Sequence, residues 1–358
     1  MTALRRLLKV QRRLQALAAR IPSIRLPDSA LFWTLALIVP ISTILSTRVW
    51  LRSAYSGGAF HLEGFVSQYA HGIYRYRVLG RFAVLFIFQH LQTVFRDRPF
   101  PMPRDPAATF LFYASIVILD ALCFAVSNLL ILYLFADERL RIADTRLAAY
   151  FYLTFVQVLA MAVVTPYDQL AYALMWVSLF AATRGKAWAA YPVLALAALA
   201  GTLTRETQFL VTPALFSAAL FSGARSSARR WIAGCLNLAI FGAVYVALRV
   251  LYPGQQAIAA GPTGGGTWGL ASGLALCLFF YVGTYLAGRI HSDLRPTVVL
   301  VALSVPYLAV ILVSGVLREL RLLVPLLMVQ AFLYVDLARL RPDSTAQAKC
   351  RPGAPLLY

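Results

Sequence analysis

The sequence predicts an all-α polytopic membrane protein of about ten transmembrane helices, with a long external first loop that contains interfacial helices. Three observations carry that expectation. Of 358 residues, 60% are hydrophobic and only 13% are charged, too few polar groups to cover a soluble fold of this length. The apolar residues fall into runs of helical length, near the 20 residues that cross a bilayer. The basic residues sit in short clusters between those runs, the pattern of an orientation signal.

Residues 1–29 hold seven Lys or Arg and one acid, Asp28. Leu4, Leu7, Leu8, Leu14 and Leu17 recur near helical spacing, which predicts a basic amphipathic segment on an anionic cytoplasmic leaflet. No small-x-small cleavage site follows the first apolar run, so the first helix is expected to be retained. The predicted spans are 30–47, 107–135, 147–164, 168–183, 187–204, 207–223, 231–252, 269–288, 297–316 and 322–338. Residues 30–338 then form the membrane domain, and 339–358 a basic cytoplasmic tail. The run 78–95 is apolar but interrupted by Arg81, Gln89 and His90.

The positive charges decide how 78–95 is read. If it lies at the interface, segments 1–29, 136–146, 184–187, 224–230, 289–296 and 339–358 share one side and carry 21 of the 33 Lys and Arg. If it crosses, the basic N-terminus opposes the other basic loops. The positive-inside rule selects the first arrangement, with both termini cytoplasmic, 48–106 outside and the chain in the cytoplasmic (inner) membrane. The Gly-rich stretch 253–268 becomes an outside loop, a lid or a linker. The same distribution argues against nucleic acid despite a net charge of +19, because the cations form no continuous phosphate-tracking patch.

Several expectations are negative. Cys123, Cys235, Cys277 and Cys350 form no CxxC pair and read as packing residues and a tail thiol. His61, His71, His90 and His291 lack zinc-ligand spacing. Gly261 to Gly266 lacks the lysine of a nucleotide loop. Asp120 and Asn128, within the second span, read as inter-helix hydrogen-bond partners.

The outside turns hold the ionisable residues that are costly near hydrocarbon. The first loop has His61, Glu63 and Tyr74-Arg75-Tyr76-Arg77. The later turns supply Asp168, then Arg205-Glu206, then Arg318-Glu319 with Arg321. Four such places on one face predict a shared polar crevice. Each also has a structural reading: Asp168 as a helix N-terminal acid, Arg205 and Glu206 as a helix-end cap, Glu319 as an ion-pair partner, Glu63 as a solvated acid.

This layout resembles the GT-C superfamily of integral-membrane glycosyltransferases, in its bacterial members of unassigned substrate. The resemblance rests on Glu63 and YRYRVLGRF (74–82), on Pro166-Tyr167-Asp168, on Arg205-Glu206-Thr207, and on Glu319, Arg321 and Pro325. It departs from the better-known members in offering Glu63 where they carry an Asp, often paired, and in having no soluble C-terminal domain. The resemblance implies transfer of a sugar from a polyprenyl-phosphate-linked donor to a glycan, lipid or protein acceptor on the outer face. Glu63 or Asp168 would be the catalytic base. Arg75, Arg77, Arg205, Glu206, Glu319 and Arg321 would hold the substrate and its lipid phosphate, guanidinium matching phosphate in a fork geometry. Some relatives hold a divalent cation, which the few outside acids here leave open. The competing classes are a transporter or flippase of an envelope precursor and a non-catalytic membrane partner subunit.

Overall fold

A computed structural model describes residues 34–50, 60–68, 76–102, 105–135, 143–160, 165, 167–184, 187–252, 278, 281–286, 293–313 and 323–340. Among them the backbone is mostly helical and no strand forms, only the isolated bridges Pro99–Thr109 and Met102–Asp105. A π-helical turn, Thr34–Ile38, leads into α1 (Val39–Trp50). Then follow α2 (Leu62–Gln68), α3 (Val78–Val94), α4 (Phe110–Phe135), α5 (Ala143–Ala160), α6 (Asp168–Arg184) and α7 (Ala187–Thr204). A 3-10 turn, Glu206–Leu210, precedes α8 (Val211–Leu220), and α9 (Ala224–Leu251), α10 (Arg295–Leu303), α11 (Val305–Val313) and α12 (Val324–Leu340) complete the set. Residues 281–286 are also helical.

Among the described residues two helices are long and apolar enough to cross a membrane, Phe110–Leu134 within α4 and Ser226–Leu251 within α9, with mean hydropathies of 2.3 and 1.9. Helix α4 is apolar on nearly every side, as a helix without a water-facing stripe must be. Shorter apolar helices occupy Val78–Val94, Ala189–Thr204 and Val324–Leu337.

Two differences from the expected spans have local causes. The run 297–316 is broken at Ser304, between α10 and α11. Pro306 has no N–H and its ring opposes the carbonyl of Ala302, so the ladder cannot pass through unchanged. Ser304 instead bonds back to Leu300 and Val301. Helix α9 starts seven residues before the expected 231, because Gly223 is extended and its carbonyl accepts the Ser226 and Ser227 amides. The basic run Arg225 to Arg230 is thereby helical.

The core has two parts. One joins α5, α6, α8 and α12 with the second half of α4, around Tyr150, Trp176, Leu215, Met328 and Phe332. The other joins α1, α2, α3 and the first half of α4, around Ile44, Phe65, Val84, Phe88, Phe112 and Phe124, and it includes Tyr167. Phe112 meets the rings of both Phe65 and Phe88 edge-on, with centroids 5.0 Å apart in each case. Such pairs contribute about 0.5–1.5 kcal/mol each beyond burial.

The contacts of α3 fix its placement. Its middle, at Phe88, lies against the third residue of α4. The carbonyl of Arg98 accepts the Phe110 amide, and Asp97 Oδ1 accepts the Leu111 amide at 2.9 Å. Arg77, immediately before the first residue of α3, lies over the Tyr167 ring, just before α6. A 17-residue helix is about 25 Å long, yet its middle and the segment just after it both meet the start of α4.

At the opposite end, Arg230 of α9 bonds Asp336 of α12 through Nε and Nη2, at 2.9 and 2.6 Å. Arg229 donates to the carbonyl of Ala181 in the last turn of α6, and Ser217 of α8 to the carbonyl of Pro296 in α10. Asn128 of α4 donates to the Tyr150 hydroxyl and accepts from Thr154, joining α4 to α5 between the two ends.

Candidate functional site

The site begins where α7 stops. The Arg205 amide bonds the carbonyl of Gly201, but Arg205 itself is extended (φ −165°, ψ 150°), so the helix ends and the chain turns into Glu206–Leu210. That turn aims the Arg205 guanidinium at Asp168, the first residue of α6, and the two form a buried ion pair. Asp168 also faces the positive end of the α6 dipole, where a carboxylate is favoured.

The turn is held from below by amides. Gln208 donates to Ser178 Oγ at 2.9 Å and to Asn237 Oδ1 at 3.1 Å, and Asn237 donates to Thr212 Oγ1 at 3.0 Å. Gly201 permits this approach. A Cβ there would stand 2.3 Å from Gln208 Oε1.

Arg77 precedes α3 and is buried, its guanidinium 4.1 Å from the centroid of the Tyr167 ring. Arg205 approaches the same ring, at 6.0 Å. Burial alone would lower the pKa of Arg77. Tyr167, Glu206 and Asp168 outweigh that and the nearby Arg205, so the net direction is upward and the group stays charged.

A narrow crevice of about 10 Å³ opens over these residues and is lined by Tyr76, Arg77, Arg205, Glu206, Tyr245, Leu248 and Arg249. Glu206 is half-buried at its wall. Arg249, in the last turn of α9, lies 4.3 Å from the Tyr76 ring and 5.0 Å from the Tyr245 ring, and donates to the Tyr245 hydroxyl at 3.0 Å. Tyr76 in turn donates to the carbonyl of Tyr252 at 3.1 Å.

Of the residues singled out in the sequence, the structure therefore brings together Arg77, Asp168, Arg205 and Glu206. Glu63 is exposed on the first turn of α2 and does not line the crevice. Its neighbour His61 engages Asp105 through Nδ1 at 2.9 Å, and Asp105 also accepts the Phe60 amide at 2.7 Å. Arg75, Glu319 and Arg321 lie outside the described residues. Tyr76, Tyr245 and Arg249 were not anticipated as site residues. Arg249 had one signal: it is a lone cation at the expected outer end of an apolar span, against the positive-inside rule, four residues after a tyrosine.

Compared with protein-family models, with curated proteins and with solved structures, the chain finds no match. The site's chemistry is thus read from its own residues. Three guanidinium groups face two carboxylates, and one of those carboxylates is committed to Arg205. Such a set suits an anion. It does not suit a divalent cation, since Asp168 is engaged by Arg205 and Glu206 stands among arginines. Among the described residues no three His, Cys, Asp or Glu cluster as metal ligands.

Proposed function

We propose that this protein is a polytopic membrane glycosyltransferase, resembling the GT-C superfamily, that takes a polyprenyl-phosphate-linked sugar donor in its outer-face crevice. The observation that carries the reading is the meeting of Arg77, Asp168, Arg205 and Glu206, from three separate turns expected on the outer face.

The surface of α9 supports the membrane setting. Only 22% of its apolar window is buried within the molecule, and Ile232, Val246, Val250 and Leu251 are each more than half exposed. Water would penalise so much apolar surface, whereas hydrocarbon accepts it. The placement of α3 supports the ten-span count, because a helix whose middle and following segment both meet the start of α4 lies across one end of the bundle. The crevice and the Arg230–Asp336 pair stand at opposite ends of α9, as the assigned outer and inner faces require.

In this reading Arg77 and Arg205 hold the donor phosphate, and Asp168 fixes the direction of Arg205. The acceptor hydroxyl oxygen bonds to the anomeric carbon as the carbon–oxygen bond to phosphate breaks, its electron pair leaving on the phosphate. Guanidinium groups already in place stabilise that growing charge. Glu206, the less buried of the two carboxylates, takes the hydroxyl proton. Purified protein should be stabilised thermally by a polyprenyl-phosphate-linked hexose and be indifferent to a uridine-diphosphate-linked hexose. The reverse pattern would refute the proposal.

A further inference from the structure

We infer that Arg249 is a third anion-binding group of the crevice, placed to take the phosphate of an amphiphile whose chain lies along the lipid-facing side of α9. The inference rests on the phosphate reading above and adds to it a residue and a direction of approach.

The argument begins with helical spacing. Tyr245, Leu248 and Arg249 are three and four residues apart, so they share one face of α9, and all three line the crevice. Val246 and Val250, also four apart, form the adjoining stripe, 59% and 72% exposed, and Leu251 beside them is 68% exposed. Arg249 therefore stands at the seam between a cationic crevice and an apolar surface. A phosphate headed by a hydrocarbon chain matches both sides of that seam. A free phosphate matches only one.

Arg249 is also built to wait there charged and in place. The Tyr76 and Tyr245 rings lie against its guanidinium carbon, at 4.3 and 5.0 Å to their centroids, and the Tyr245 hydroxyl takes one N–H. Aromatic rings this close to a guanidinium favour its charged form and limit its motion, leaving its other N–H groups for hydrogen bonds. Tyr76 is itself tied to the Tyr252 carbonyl, so the start of α3 is fastened to the end of α9 beside this opening.

The probes are farnesyl phosphate, farnesol and inorganic phosphate, each measured by thermal shift on full-length protein in a non-ionic detergent. Farnesyl phosphate is expected to stabilise the wild type at concentrations where farnesol and inorganic phosphate do not. Arg249→Gln should weaken that binding about 10-fold or more, the effect of losing a charge-assisted hydrogen bond. Tyr245→Phe, which keeps the ring and removes the hydroxyl, should weaken it less. Arg295→Gln, at an exposed pair on the other end of the molecule, should change nothing. Wild-type affinity in both Arg249→Gln and Tyr245→Phe, with loss in Arg77→Gln, would overturn the inference and leave the phosphate crevice standing. Inorganic phosphate competing as well as farnesyl phosphate would overturn the lipid-side approach. Failure of the wild type to bind either phosphate would remove the crevice reading itself.

Discussion

Arg205 and Asp168 carry the heaviest electrostatic commitment in the site, since each is about 2% exposed and the two are directly paired. Removing one partner of a buried pair destabilises by about 3–5 kcal/mol. Asp168→Asn should therefore lower the unfolding temperature in detergent markedly, and Asp168→Leu with Arg205→Met should recover much of the loss. Glu206 is different. Its carboxylate reaches the crevice, so Glu206→Gln should keep the fold and reduce turnover about 100-fold or more. Glu63→Gln, on the exposed face of α2, should leave both stability and turnover within error of wild type. A single turnover assay on the two glutamine variants separates these roles. Their relative importance was not legible in the sequence. Glu63 lies in the longest of the expected outside loops, but local spacing cannot say which way a short helix turns its acids. Asp105, which anchors His61 and Phe60, lies more than forty residues away in the chain.

At the scale of elements, the 3-10 turn Glu206–Leu210 is the hinge between fold and chemistry. Gly201→Ala would drive a methyl group into the Gln208 side chain, which cannot retreat without leaving Ser178 and Asn237. Overpacking of this kind costs about 1–3 kcal/mol. The variant should unfold earlier and also lose donor affinity, because Arg205 and Glu206 ride on the displaced turn. A simple packing defect elsewhere, such as Gly234→Ala against the Phe216 ring, should lower stability without touching affinity. Helix α7 was legible to the residue, 187–204, since the apolar run ends at Thr204-Arg205 and both neighbours are polar. The start of α9 was not. Hydropathy sees Arg225 to Arg230 as a loop, while the backbone, capped at Gly223, continues as helix through them. The break at Ser304 was foreshadowed by Pro306, though a proline alone does not tell a kink from a full interruption.

For the whole molecule, the composition implied a helical chain with apolar runs of membrane-spanning length, and among the described residues the backbone is mostly helical and two helices, within α4 and α9, are long and apolar enough to cross a membrane. Residues gathered from distant turns were harder to foresee. Arg249 joined the crevice only through the packing of α9 against the start of α3, a contact between residues 76 and 252 that no local pattern encodes. The topology makes a direct demand: single cysteines near residue 100 and within 224–230 should label from opposite sides of the membrane. The central claim is narrower, that the arginine-lined crevice faces outward and receives a lipid-linked phosphate. It is tested most directly by Glu206→Cys in a background lacking Cys123, Cys235, Cys277 and Cys350, labelled in intact cells or right-side-out vesicles with a membrane-impermeant thiol reagent. The cysteine should label from the outside, and a polyprenyl-phosphate-linked hexose should slow that labelling while a uridine-diphosphate-linked hexose does not. Labelling from the inner side only, or outside labelling that the lipid-linked sugar leaves unchanged, would contradict the account.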